Sequence, residues 1–332
     1  MTLEDRIILF SKLGEFLNAE GSKDDLKHWA AQCKGENGWF TEDNVLLALK
    51  NIGQQFLKKE DLIAFSKTIK ENPNPKKIGV VAAGNIPLVG FHDLLCILLT
   101  GNIAMVKLSS SDSVLMRKII AKLIDIEPEI TSQIIIADRL NDADAFIATG
   151  SDNSSRYFEY YFGKKPNIIR KNRSSVAVLT GTESREDLRN LGYDIFQFFG
   201  LGCRNVSKFF VPKGYKFDTF FESIEYWNTI QIHHKYNNNY DYNKSIYLVN
   251  RNHHYDNGFL LVTQSENLVS PISVIFYEEY EDEKALEEKL DAHQGKIQCI
   301  VGKNFTPFGG SQSPVLDEFA DNVNTLDFLN NL

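Results

Sequence analysis

Two kinds of hydrophobic pattern divide the chain. Up to about residue 70 the apolar positions recur at helical spacing. Ile7, Ile8, Leu9, Leu13, Phe16 and Leu17 form one stripe, and Leu46, Leu47, Leu49, Ile52 and Phe56 fall on related faces of a second run from Val45 to Phe65. Thr41, followed by Glu-Asp-Asn, marks the start of that run. The stretch Asn72-Pro-Asn-Pro-Lys-Lys breaks it.

From Lys76 short β-rich runs alternate with helical ones. The strands predicted are Ile78–Ala82, Ile103–Leu108, Gln133–Ala137, Ala145–Thr149 and Val176–Leu179; helices are predicted at Phe91–Thr100, Asp112–Ile126 and Asn153–Phe162. Strands apolar on both faces and joined by helices predict a parallel sheet covered on both sides, with right-handed crossovers and a nucleotide-binding topology. A second unit follows. Ser184, with Asp187 three residues on, predicts the cap of a helix ending near Phe199. Further strands are predicted at Lys208–Val211, Ile246–Val249, Ser273–Phe276 and Gln298–Val301, with an Asn/Tyr-rich loop over Tyr236 to Asn243 and an acidic helix over Glu278 to Asp291.

Composition narrows the class. With 332 residues, 43% hydrophobic and 24% charged, the chain can bury the cores of about two domains and is neither collagenous nor mainly disordered. A net charge of -8 gives no global attraction for nucleic acid, though a local basic pocket for a nucleotide remains open. The acidic start lacks the basic and apolar stretches of a signal peptide, and the run Leu94 to Leu99 is far shorter than a membrane span. Cys33, Cys96, Cys203 and Cys299 are scattered without a CxxC, which predicts neither a zinc site nor a disulfide framework. No metal, no nucleic-acid partner, no transmembrane segment and a cytoplasmic location are expected.

Four places carry candidate chemistry. Cys203 stands in Gly200-Leu-Gly-Cys-Arg-Asn just before a strand. The glycines allow close approach of a ligand and Arg204 would favour the thiolate; the alternative is a small buried hydrophobe, which is the expectation for Cys33, Cys96 and Cys299. Asn85, in Ala83-Gly-Asn-Ile-Pro after the first strand, can donate to an oxyanion or simply make a turn or cap ahead of Pro87. Lys107, before Leu108-Ser-Ser-Ser-Asp, can reach a ribose or phosphate, with the serines at a helix N-terminus; a solvated lysine with Ser111 or Asp112 as cap is the alternative. Gly150 and Ser151 form another strand-to-helix turn, with a single glycine, that could face a pyrophosphate. His92 could face the same site, while the pairs His233-His234 and His253-His254 lack the spacing of metal ligands.

The order of these elements, GNIP, then VKLSSS, then ATGS, then a glycine-flanked cysteine before a strand, resembles the aldehyde dehydrogenase superfamily and, within it, the acyl-CoA reductase branch of LuxC-type fatty acyl-CoA reductases. The tail from Phe308-Gly-Gly-Ser-Gln-Ser-Pro to Ala320-Asp-Asn-Val-Asn-Thr-Leu-Asp-Phe-Leu is also similar to that of small bacterial acyl-CoA reductases. The resemblance implies an α/β fold of two doubly wound parallel-sheet domains with an N-terminal helical segment. Its parts would be a helical segment 1–75, a nucleotide-binding domain 76–180, a catalytic domain 181–305 and a C-terminal segment 306–332 packing back on the nucleotide domain. It implies Cys203 as nucleophile, Asn85 in the oxyanion hole with the backbone N–H of Cys203, Lys107 on the adenosine ribose, and Gly150 with Ser151 beside the pyrophosphate. It also implies an acyl-CoA substrate and, as assembly, a homo-oligomer or a complex with an acyl-activating enzyme.

Departures from the family pattern refine this. Where hydrolytic members carry a water-activating glutamate, Ile169 to Arg173 reads IRKNR, and no acidic residue occurs between Glu159 and Glu183. A second glutamate of the family is replaced by Asn267, beside Glu266. Acyl transfer followed by hydride delivery needs no base for water, so a thioester reductase giving an aldehyde is favoured. Ser110, where an acid often follows the lysine, removes repulsion against a 2′-phosphate and implies NADPH, that is NADP as cofactor. The aromatic residues Phe196, Phe198, Phe199, Phe220, Phe221 and Trp227 suggest a tunnel for a long acyl chain, with plain core as the alternative. Two competing expectations are a reductase of an acyl phosphate and a catalytically inactive scaffold or partner subunit of the same fold.

Overall fold

The computed structural model describes residues 1–71, 73–150 and 152–332. The chain forms two units, Met1–Asn172 with Val315–Leu332, and Arg173–Pro314.

The first unit opens with α1 (Leu3–Asn18), α2 (Lys23–Glu36), α3 (Glu42–Asn51), a π-helical turn Ile52–Phe56 and α4 (Lys59–Ser66). Thr2 and Asp5 close a capping box on α1, and Thr41 caps α3 by accepting the Asn44 N–H. Ile8, expected in the stripe of α1, is exposed, and Phe10 points inward with the expected Leu9, Leu13 and Leu17.

Next come β1 (Lys77–Val81), α5 (Phe91–Leu99), β2 (Ile103–Lys107), α6 (Ser113–Ile126), β3 (Ile134–Ile136), β4 (Ala145–Thr149), α7 (Asp152–Phe162) and β5 (Asn167–Arg170). The five strands are parallel in the order β3-β2-β1-β4-β5. Successive residues point to opposite faces, and both faces are covered. Ile78, Val80, Ala104, Val106, Ala145 and Ile147 join one core with the N-terminal helices, α5 and α6. Met105, Phe146 and Val81 face the other way, where the rings of Phe146 and Phe162 stack with centroids 4.1 Å apart. This is why the strands read as unbroken apolar runs. The N-terminal helices share this core with the sheet, as do Leu316, Leu326 and Leu329 of the C-terminal segment.

The second unit runs β6 (Ser174–Val178), α8 (Arg185–Phe196), β7 (Val206–Pro212), α9 (Asp218–Ile224), α10 (His234–Asn250), β8 (Tyr255–Asp256), β9 (Leu261–Gln264), β10 (Val274–Tyr280), α11 (Glu283–Ala292) and β11 (Ile297–Val301). The sheet order is β11-β6-β7-β10-β9-β8, parallel except for β8 against β9. Ser184 and Asp187 form the expected capping box on α8. On one face Phe209 meets Phe220 of α9 edge-on at 5.2 Å; on the other Val176, Val178 and Phe210 pack against Leu286 of α11.

Several elements differ from expectation. The strand expected at Val176–Leu179 belongs to the second sheet, between β11 and β7, so the first unit ends at Asn172 rather than at residue 180. Its wholly buried sequence fits either sheet equally well; pairing partners far along the chain decide. Residues 306–314 likewise belong to the second unit, and only Val315–Leu332 returns to the first. Both the loop expected over Tyr236 to Asn243 and the strand expected at Ile246–Val249 lie inside α10. The helix turns its polar residues inward: Tyr236 donates to Phe259 O at 3.0 Å, Tyr240 to Asp256 Oδ1 at 2.6 Å, and Asn243 Nδ2 to Ile272 O at 3.0 Å. Those three recur at i, i+4 and i+7, a helical period carried by residues that an apolar count overlooks. β5, β8 and β9 had no sequence prediction.

Candidate active site

The register of the first sheet brings three candidate segments to its carboxyl edge. Val81 of β1 pairs with Lys107 of β2 and with Ala148 of β4. The loop carrying Asn85, the end of β2, and the turn at Gly150 therefore leave the sheet side by side. The strand order reverses at β1, and a nucleotide is expected in the crevice at such a switch point. Asn85, Lys107 and Ser110 are exposed there. Gly150 donates its N–H to Arg170 O at 3.3 Å, and a Cβ on it would lie 2.8 Å from the Phe158 ring, so glycine is needed to seat α7 against β4. Ser151 lies outside the described residues.

The loops after β1 and β2 are tied together by residues that no local pattern singled out. A Cβ on Gly84 would run into Ser109 Oγ. Asn37 Nδ2 reaches both Gly84 O and Ser111 O at 3.3 Å. Glu36 accepts the Ser113 N–H at 2.9 Å, the Ser113 hydroxyl at 2.5 Å and the Val114 N–H at 3.0 Å. The N-terminus of α6 is thus capped by a carboxylate from α2, not by a side chain of Ser111 or Asp112, and its first two amides are taken. A phosphate at this edge would rely on Lys107 and the exposed Ser110 hydroxyl. Those groups fit the ribose and phosphate of a nicotinamide nucleotide, and Glu36 is offset by the helix end it caps.

Asp112 is buried beneath the same loops. One carboxylate oxygen accepts the Leu88 N–H at 2.7 Å, and the other has no hydrogen-bond partner among the described residues. Burial, and then the nearby Glu36 carboxylate, push its pKa up to about 8 against the pull of the Leu88 N–H. Leu88 itself is held at a left-handed φ of 61°.

In the second unit Cys203 stands in a turn between α8 and β7. Asn205 N–H donates to Gly202 O at 3.0 Å, which places Cys203 and Arg204 at the two central positions. Ser175 Oγ donates to Cys203 O at 3.0 Å. Cys203 is half-buried, whereas Cys33, Cys96 and Cys299 are fully buried, and none of the four is in a disulfide. Burial, followed by the Asp112 and Glu36 carboxylates, pushes the Cys33 thiol up to about 12, and burial pushes Cys96 well above the ordinary thiol range. A neutral buried thiol is a poor nucleophile, and Cys203 is the one of the four that is not buried.

Other expected site residues have structural roles. His92 lies among the rings of Phe56, Phe65 and Phe319 and makes a 2.8 Å hydrogen bond with Leu316 O. Phe196, Phe198 and Phe220 are buried in side-chain packing rather than lining a tunnel, with Phe196 against Trp227 at 5.4 Å. Arg170, in the IRKNR segment, forms a buried bidentate pair with Asp93 at 2.5 and 2.8 Å. His233 accepts the Tyr236 N–H as the cap of α10. Among the described residues there is no cluster of three or more metal-ligating side chains, and no helix is long and apolar enough to cross a membrane.

A family model described as acyl-CoA reductase (LuxC) matches residues 20–218, a span that contains Asn85, Lys107, Ser110, Gly150, Ser151 and Cys203. No curated protein matches the chain. Solved structures similar to it include a protein assigned as an aldehyde dehydrogenase from Burkholderia cenocepacia, with a TM-score of 0.67 and 13% identity over 94% of this chain and 76% of that one. An NAD+ complex of aldehyde dehydrogenase from Bacillus cereus gives 0.63 and 12% over 91% and 72%. An NAD-dependent benzaldehyde dehydrogenase from Corynebacterium glutamicum gives 0.65 and 13% over 92% and 77%. At these identities the likeness is one of fold.

Proposed function

The chain belongs to the LuxC acyl-CoA reductase family, and from that premise we propose that it reduces a long-chain acyl-CoA to the aldehyde through a thioester on Cys203, with NADPH as reductant. The observation that carries this reading is the contrast among the four cysteines: three are buried in cores, and one stands half-buried at the centre of a turn fixed on both sides.

The Cys203 thiolate attacks the acyl carbonyl. The carbonyl π electrons move onto oxygen, and Asn85, exposed in the loop after β1, supplies an N–H for that oxyanion. Collapse breaks the carbon–sulfur bond to CoA, whose thiolate takes a proton from solvent, and leaves the acyl group on Cys203. A reduced nicotinamide supplies the hydride that brings the acyl carbon to the aldehyde level. The tetrahedral alkoxide then remaining on Cys203 collapses, the carbon–sulfur bond breaks, and the aldehyde and the Cys203 thiolate are formed. No carboxylate occurs from residue 160 to residue 182 to activate water, which supports reduction over hydrolysis of the thioester.

The test is acylation with a radiolabelled long-chain acyl-CoA. One hydroxylamine-sensitive acyl group per chain is expected, mapping to Cys203 and absent from Cys203→Ala. Asn85→Ala should acylate on the order of a hundredfold more slowly while staying folded. Full acylation of Cys203→Ala would overturn the reading, and an unchanged rate in Asn85→Ala would return that residue to turn duty. Running the same assay with acyl phosphate in place of acyl-CoA separates the two thioester-forming chemistries.

A further inference from the structure

We propose that Asn205 is the positioning residue of the Cys203 thiol; the inference rests on the reading of Cys203 as nucleophile. Asn205 is 2% exposed and uses its whole side-chain amide inside the protein. Its Oδ1 accepts the Gly202 N–H at 2.8 Å. Its Nδ2 donates to three carbonyls at the end of α8: Asp194 O at 3.1 Å, Ile195 O at 3.3 Å and Gln197 O at 2.8 Å. The turn Gly202–Asn205 is therefore closed twice, once by backbone and once by this amide, and riveted to a helix end.

The helix end needs such a rivet. After α8 the chain passes through three consecutive left-handed residues, Phe198, Phe199 and Gly200, with φ of 52°, 57° and 76°. Two of these are bulky and pay a steric cost there, so the conformation persists only where its surroundings over-determine it. The Asn205 amide gathers the orphan carbonyls at that point. It is bonded on one side to the helix end just before the strained passage and on the other to the turn that carries the thiol. The same helix end holds a second segment: Asp194, whose carbonyl accepts from Asn205, takes the N–H groups of Gly309 and Ser311 on its carboxylate at 2.6 and 2.9 Å. Asn205 acts through the backbone, and nucleophilic attack depends steeply on where the backbone points the sulfur.

The experiment compares wild type with Asn205→Ala, Asn205→Asp and Ser175→Ala. It measures the iodoacetamide alkylation rate of Cys203 against pH, single-turnover acylation, kcat and KM for acyl-CoA, and NADPH binding. Asn205→Ala should bind NADPH within about twofold of wild type yet acylate about tenfold or more slowly, with the loss in kcat rather than KM. Asn205→Asp keeps the acceptor for Gly202 but turns a carboxylate toward three carbonyls. It should be slower still at neutral pH and recover toward acid pH, where the protonated group can donate again. Acylation by folded Asn205→Ala within twofold of wild type would overturn the inference. If that variant does not fold, Ser175→Ala decides: it removes only the hydroxyl on the Cys203 carbonyl and should slow acylation about threefold to tenfold, and no slowing would overturn the inference. Acylation of Cys203→Ala would instead sink the nucleophile reading itself, so the two failures are distinct.

Discussion

Asp112 shows how a single residue can couple burial to loop geometry. Its carboxyl holds the Leu88 N–H, while burial and Glu36 disfavour its charge and raise its pKa to about 8. Because the folded value lies above the ordinary 3.8, this group's contribution to stability is full at acid pH and declines as pH rises from about 4 through about 8. Asp112→Asn keeps an oxygen for Leu88 and cannot ionise. Its melting temperature relative to wild type should therefore climb between pH 5 and pH 8 and level off above that. A difference independent of pH, measured by thermal unfolding across that range, would show that Asp112 does not titrate there. No sequence pattern marked Asp112 or Glu36 for these roles, because Glu36 reaches α6 from 77 residues away. Cys203, Asn85 and Lys107 were legible as candidates because each stands at a strand boundary with glycine, proline or serine around it.

At the scale of elements, one buried ion pair joins three pieces of the first unit. Arg170 at the end of β5 forks onto Asp93 of α5, and its Nη2 also donates to Thr325 Oγ1 at 3.0 Å, at the start of a short C-terminal helix, Thr325–Asn330. Removing one member of such a pair strands a buried charge, at a cost of about 3–5 kcal/mol. Asp93→Ala should lower stability by that order and raise amide exchange in Val315–Leu332 ahead of global unfolding. Adding Arg170→Met should return part of the loss. Equal exchange in Val315–Leu332 of wild type and Asp93→Ala would show that the pair does not hold the tail. The helix α10 carries a related lesson: Tyr236, Tyr240 and Asn243 hold it by hydrogen bonds to Phe259, Asp256 and Ile272, partners an Asn/Tyr-rich segment does not advertise.

For the whole molecule, cofactor choice is a stability difference. A ligand that binds only the folded chain raises its stability by RT ln(1 + [L]/Kd), about 2.7 kcal/mol at a hundredfold excess over Kd. Lys107 and Ser110 at the carboxyl edge of the first sheet support a preference for NADPH over NADH of about tenfold or more, each decade being worth about 1.4 kcal/mol. At equal concentrations NADPH should raise the melting temperature more than NADH, and Ser110→Glu should shrink the gap. Equal shifts for wild type would remove Ser110 from the account.

The sequence by itself determined the alternation of apolar strands and helices, the parallel sheets, the caps at Thr41 and Ser184, and the turn that isolates Cys203, because these depend on residues adjacent in the chain or one helical turn apart. Tertiary structure decided which sheet received Ser174–Val178, since a strand buried on both faces carries no mark of its neighbours. It also decided that Tyr236 to Asn250 coils, that Phe196, Phe198 and Phe220 fill a core, and that Glu36, Asn37, Asp112 and Asn205 hold the candidate loops. Each of those outcomes rests on a hydrogen bond or a packing partner distant in sequence, and a polar side chain's role is set by the partner it finds once the backbone has folded.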